Sequence, residues 1–299
     1  MAWGERGVTL IELLIAMVIS ALLVAAMYSF FMVQQRTYAV QDNVADMQQN
    51  ARMSLITLVK NVRMAGYGVP NSCALVPVNS STGPDGIFVS DHTVIQTLPD
   101  SDIFFAELNA DVSSGATSIT VTTTDIDGDG NDDFFATKAL IISDGTNTEG
   151  MMISTNYATG NLTIPFASGY SLQHNYSAAD TRVVPAILYN VQSNELRENN
   201  QPLALNVEDL QISYQDDGGQ WYCHDAAHTS PPTSISSIRV VEVNVVARTN
   251  VQDAVVQDAA AQAQFNQPPL EDHTTTLNGP DGFRRRVLTT RAHVRNLGL

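Results

Sequence analysis

Glu12 lies in the stretch GVTLIELLIAMVISALLVAAMYSFFMV at 7–33, a carboxylate in an otherwise apolar run long enough to cross a bilayer. An ionised carboxylate at that depth is costly and calls for a partner. Four residues upstream stands Val8, preceded by Gly7 and the polar leader MAWGER. Cleavage after Gly7 would give Val8 a free ammonium, so one chain would carry a cation and an anion on its first helical turn. A helix that packs against identical or related helices needs such a pair; an ordinary membrane anchor does not. A second group is Asp125, Asp127, Asp129, Asn131, Asp132 and Asp133, with Gly128 and Gly130 between them. Alternating carboxylates present hard oxygen ligands suited to Ca²⁺, and the glycines let the backbone curl. The first six residues fit the EF-hand loop pattern D-x-D-x-D-G, but the twelfth is Ala136 where a bidentate Glu is expected, and no flanking helices are evident. The metal reading is therefore an irregular calcium loop formed by Asp125, Asp127, Asp129, Asn131 and Asp133. Its alternative is a solvated acidic turn.

Cys73 and Cys223 are the two cysteines. In an oxidising compartment they are expected to form one disulfide, closing a loop worth up to roughly 5 kcal/mol on the loop-entropy view; two buried thiols are the alternative. Cys223-His224-Asp225 with His228 matches no zinc spacing with a second ligand pair. There is no G-x-S-x-G, Walker A, H-E-x-x-H or dinucleotide fingerprint, and an enzyme is not expected. Fifteen Lys and Arg against 31 Asp and Glu give a formal charge of −16, which makes nucleic acid an unsuitable partner.

These groups need elements to hold them. No charge interrupts 13–33, as in a plain membrane helix. A removable secretory signal is a rival, since Val24-Ala25-Ala26 fits a small-residue cleavage pattern and implies a mature start at Met27. Against it, the leader is barely positive, Glu12 interrupts the apolar segment, and the run continues to Met32. From Gln34 to about Gly66 neither Pro nor Gly occurs, and Val44, Met47, Ala51, Leu55, Leu58 and Val62 make one apolar stripe. Gly66, Gly68 and Pro70 supply the stop. The spacing predicts one helix over 8–66, apolar all round in its first half (8–33) and amphipathic in its second (34–66), packed on a sheet of the same chain.

The region 67–185 contains short β-rich runs: IFVS (87–90), IFFAEL (103–108), SITVTTT (118–124), ALIIS (139–143), MMIST (151–155) and NLTIPF (161–166). They predict a β-rich subdomain inserted at about 100–180. AILYNV (186–191) and ELRE (195–198) read as a hairpin opening the main sheet of 186–299. In 238–247, Val241, Val243, Val245 and Ala247 share one face, and Leu288, Ala292 and Val294 share another. Residues 251–283 read as an exposed loop opening with a short helix. The cluster Arg284-Arg285-Arg286, with Arg291 and Arg295, could pair with acidic faces of neighbours or within the fold.

The string G-V-T-L-I-E-L-L-I-A resembles the class III signal of type IV pilins and type II secretion pseudopilins. The resemblance makes 1–7 a leader, Gly7 the residue before the cut, Val8 the methylated N-terminus and Glu12 the acid that pairs with a neighbouring subunit. Val8 departs from the Phe usual in major pilins, and no Pro precedes Pro70 to let the membrane half melt. The segment QQNARMSLITLVKNVRMAGYGVP, with VEDLQISYQDDGG (207–219), RVVEVNVVART (239–249) and RRRVLTTRAHVRNLGL (284–299), resembles PilW-type minor pilins. The resemblance implies an α+β, pilin-like fold with a long N-terminal helix on an antiparallel sheet. It also implies a minor pilin that helps initiate assembly and lies at or near the fibre tip. Its partners would be other major and minor pilins, a prepilin peptidase, the inner membrane and a candidate tip adhesin. The head would be periplasmic before assembly and in the fibre afterwards. The rivals are a type II secretion pseudopilin and a membrane-tethered, calcium-dependent adhesive protein that never polymerises.

Overall fold

The computed structural model describes residues 9–78, 83–93, 103–223, 235–252 and 282–297. By contacts the chain forms two units, Met1–Asp46 and Met47–Leu299. A single helix, α1 (Leu10–Met64), contributes to both. In the first unit its large apolar side chains from Leu10 to Phe31 are solvent-exposed, and the helix is long and apolar enough to cross a membrane.

In the second unit the buried side of α1 is Met47, Ala51, Ser54, Leu55, Leu58, Val59, Asn61 and Val62, the three-and-four spacing of the predicted stripe. The helix stops where the glycines stand. Gly66 takes φ +79°, donates its N–H to Ser90 Oγ at 2.9 Å, and a Cβ there would lie 3.2 Å from that of Ala74. From the far end of the sequence, Asn296 Nδ2 donates to the carbonyls of Met64 and Ala65, both at 3.2 Å, capping the last turn.

Among the described residues fourteen strands follow: β1 (Leu75–Val78), β2 (Gly86–Ser90), β3 (Ala106–Glu107), β4 (Ser118–Thr120), β5 (Ala139–Ser143), β6 (Thr148–Met152), β7 (Thr163–Pro165), β8 (Arg182–Gln192), β9 (Glu195–Glu198), β10 (Gln201–Leu205), β11 (Val207–Asp216), β12 (Trp221–Tyr222), β13 (Ile238–Arg248) and β14 (Arg285–His293). The pairings between them are antiparallel. β8 is the spine of an eight-stranded sheet: one edge takes β3 at 182–183 and β2 at 186–190, the other β5 at 182–186 and β9 at 189–192. β11–β14 form a second sheet in the order β12-β11-β13-β14, and β4 pairs with β7. The fold is therefore α+β, one long helix on antiparallel sheets.

Both larger sheets meet α1 in one hydrophobic cluster, where Leu58 and Val62 join Ile87, Tyr189, Ile212 and Val243. Two polar connections sit in it. Asn61 Nδ2 donates to Tyr189 Oη, which donates to Glu198 Oε2 at 3.0 Å. Buried Asp85 accepts from Ile212 N at 2.9 Å while its own N–H reaches Leu210 O at 2.7 Å, stitching the start of β2 to β11. Residues 106–183 build a second cluster around Phe134, Ile142, Ile164 and Tyr176. It remains continuous with the main sheet, because β5 of this region pairs with β8. Most of 251–283, including the expected short helix, lies outside the described residues.

Candidate functional site

Glu12 sits in the first turn of α1, where exposed N–H groups favour an acid. Its Oε2 accepts from Thr9 N and from Thr9 Oγ1, both at 2.9 Å, while Glu12 N donates to Thr9 Oγ1 at 3.4 Å. This reciprocal arrangement is a capping box, Thr-x-x-Glu. The pattern is plain in the sequence, and attention to Glu12 alone passes over Thr9. The cap holds the carboxylate at the helix entrance and leaves it solvent-exposed. Gly7 and Val8 lie outside the described residues.

The acidic loop joins β4 to β5 and is pinned by Ile126 and Phe134, both buried in the second cluster. Oxygens of Asp125, Asp127 and Asp133 converge within 4.8 Å of one another, with Asp127 and Asp133 buried. The backbone wraps around Asp125, whose carboxylate accepts from Gly128 N at 2.8 Å and Gly130 N at 2.9 Å. Asp133 accepts from Ile126 N at 2.7 Å. Burial raises the Asp133 carboxyl to about 6; the bond from Ile126 opposes the rise, and the negative charges of Asp127, Asp125 and Asp129 add to it. Asp129 and Asn131, the other two expected ligands, turn to each other instead: Asn131 N and Nδ2 donate to Asp129 at 2.7 and 3.0 Å. The three converging carboxylates are the residues that could hold a hard cation.

The expected Cys73–Cys223 disulfide is not formed. Cys73 is buried under the β8 sheet in a cluster with Val76, Ile141 and Val184. Its thiol faces Arg182 O at 3.8 Å, and burial pushes it up to about 12, so it is held as a neutral thiol. Cys223 follows β12 at the edge of the other sheet. His224, Asp225 and His228 lie outside the described residues.

No curated protein matches the sequence. Among solved structures, a type IV-like pilin from Thermus thermophilus is similar at 13% identity with a TM-score of 0.39, over 84% of this chain and 97% of that one. Residues 4–28 match the prokaryotic N-terminal methylation motif, and residues 170–296 match the type IV pilus-assembly protein W family. These two matches together support a PilW-type type IV pilin. Glu12, Thr9 and the proposed cleavage position fall inside the first match, and β8 to β14 of the pilin head inside the second. The acidic loop lies in neither, in the connection between the two matched segments. Pilin-family proteins are structural subunits, and the N-terminal motif with its apolar helix gives this pilin a means of membrane anchoring.

Proposed function

We propose that this pilin is a minor, non-enzymatic subunit. It is held in the inner membrane with its head in the periplasm until a prepilin peptidase cuts after Gly7 and the new Val8 terminus is methylated. It then helps to initiate the fibre with other major and minor pilins, and stays at or near the tip, where an adhesin is a candidate partner. The observation that carries this reading is Glu12, capped by Thr9 at the mouth of a helix whose large apolar side chains to Phe31 are exposed. Neighbouring helices would cover that surface, and the Val8 ammonium of one chain would neutralise Glu12 of the next, setting the axial register. Glu12→Gln is expected to be processed, to keep a folded head, and to enter fibres at least tenfold less than the parent by immunoblot of sheared fibres. Normal incorporation, or mature protein that retains Met1 by mass spectrometry, overturns the reading.

A second proposal concerns the loop. Asp125, Asp127 and Asp133 would bind Ca²⁺, which suits clustered carboxylate oxygens. What supports this is their convergence around a buried carboxyl that resists ionising alone. Millimolar Ca²⁺ is expected to raise Tm by several degrees over chelator at pH 7.5 through preferential binding to the folded chain. Asp133→Asn is expected to remove that gain. Equal gains in both proteins, or none in the parent, count against the loop.

A further inference from the structure

Between the last part of α1 and β14 runs a groove of about 620 Å³, a size typical of sites for small molecules. Its floor is aliphatic: Leu55, Ile56, Val59 and Leu288 line it, and no aromatic ring does. Ile56 is 58% exposed, and Met53, three residues before it, is 55% exposed. Both are large apolar side chains of the head left in water. The rim is cationic: Arg52, Lys60, Arg63 and Arg295 line the groove and are exposed. The backbone joins two of them, since Arg295 N donates to Arg63 O at 3.4 Å.

Among the described residues none of these four reaches a carboxylate, and neither do Arg36 and Arg286. What distinguishes the four is their convergence on one apolar floor. The other polar side chains of the lining are the hydroxyls of Thr289 and Thr290; it holds neither a carboxylate nor a side-chain amide. Its side chains therefore offer strong donors and no strong acceptor. The matching ligand is an anion with an aliphatic body and few donors of its own. A peptide fits less well, because each of its N–H groups needs an acceptor. A flat base fits less well for want of a ring to stack on. Inorganic phosphate alone would leave the floor wet.

We propose that this groove binds an anionic lipid, its phosphate among the rim cations and one alkyl chain along the aliphatic floor. Arginine and lysine donors pair with phosphate oxygens through charge-assisted hydrogen bonds. Methylenes of the chain cover Ile56 and take it out of water. Basic pockets beside apolar surface are a general means of holding lipid headgroups. Every lining residue lies within 47–299, and none takes part in the pairing of Glu12 with Val8. The site therefore stands or falls separately from the assembly proposal.

The test uses the full chain in phosphatidylcholine nanodiscs and a lysophosphatidylglycerol that carries a diazirine in its single chain and exchanges through water. After illumination, labelled peptides are mapped by mass spectrometry. Trypsin releases Met53–Lys60, which carries Leu55, Ile56 and Val59. Labelling of this peptide is expected, and unlabelled lysophosphatidylglycerol should reduce it at least tenfold. Equal lysophosphatidylcholine, or inorganic phosphate, should reduce it less than twofold. The double variant Arg63→Glu, Arg295→Glu should lower it at least tenfold and leave labelling within 10–33 unchanged. Both side chains are exposed, so the melting curve of that variant should match the parent. No label on Met53–Lys60, equal displacement by phosphate or lysophosphatidylcholine, or undiminished labelling of the variant each overturns the proposal. Displacement by a ten-residue peptide of alternating Val and Glu also overturns it, in favour of an acidic protein segment.

Discussion

At Asp133 burial and neighbouring charge act in the same direction. The carboxyl ionises near 6 in the folded chain against an ordinary 3.8, so between those values the native state holds a proton that the unfolded chain has released. By linkage, the stability this group contributes is fully present below about pH 4 and is lost as pH rises through about 6. Asn keeps an oxygen for the Ile126 N–H and carries no charge. In chelator, Asp133→Asn is therefore expected to melt higher than the parent at pH 7 and level with it at pH 4. A parent that is the more stable at pH 7 would show that the carboxylate is satisfied there without a cation. The same scale exposes what spacing alone could tell. The run of Asp residues marked the loop, but its spacing did not show that carboxylates of Asp125, Asp127 and Asp133 converge while Asp129 and Asn131, close in sequence, turn to each other. The disulfide was beyond reach for a different reason. Two cysteines separated by about 150 residues are placed by the sheets that carry them, and here one thiol is sealed against a backbone carbonyl.

Elements were legible where one face is apolar and the other is not. The α1 stripe from Met47 to Val62 and its glycine stop came directly from residue spacing, as did β9 and the alternation of β13 and β14. The expected runs IFFAEL, SITVTTT and NLTIPF shrink to β3, β4 and β7, two or three residues each. Their apolar residues still enter the second cluster, but the ladder ends early, continuing only as single bridges such as Leu108 to Val121 and Ile153 to Phe166. Alternation reports burial, and a strand also needs a backbone partner. β10, with its Pro202 and little alternation, gave no such signal and exists because β9 pairs with it. β6 shows the close fit that patterning cannot reveal. Gly150 lies against Phe88, and a Cβ there would sit 2.2 Å from the ring. Gly150→Ala is expected to cost about 1–3 kcal/mol in denaturant melts, the usual range for overpacking. Phe88→Leu should recover part of it in the double variant, as for any pair in contact; additive costs would place the strain elsewhere.

At the scale of the whole chain, the apolar surface and the hydrophobic core belong to different stretches of sequence. The exposed apolar side chains between Leu10 and Val33 are absent from all three hydrophobic clusters, and the earliest cluster residue is Leu55. The contact boundary falls at Asp46, ahead of every buried residue of α1. The surface that requires lipid or neighbouring helices is thus separable from the packing that stabilises the head. The formal charge of −16 resides almost wholly in the later part and opposes association of free heads in water. A chain beginning at Gln34 is therefore expected to be monomeric without detergent. Its melting midpoint should fall within a few degrees of the full chain in micelles, because none of the described residues before Gln34 is buried. Size-exclusion with light scattering and thermal melts decide it. Aggregation of the shortened chain, or loss of a cooperative transition, would mean that residues before Gln34 help fold the head, and membrane anchoring and head stability would no longer be separate properties of one helix.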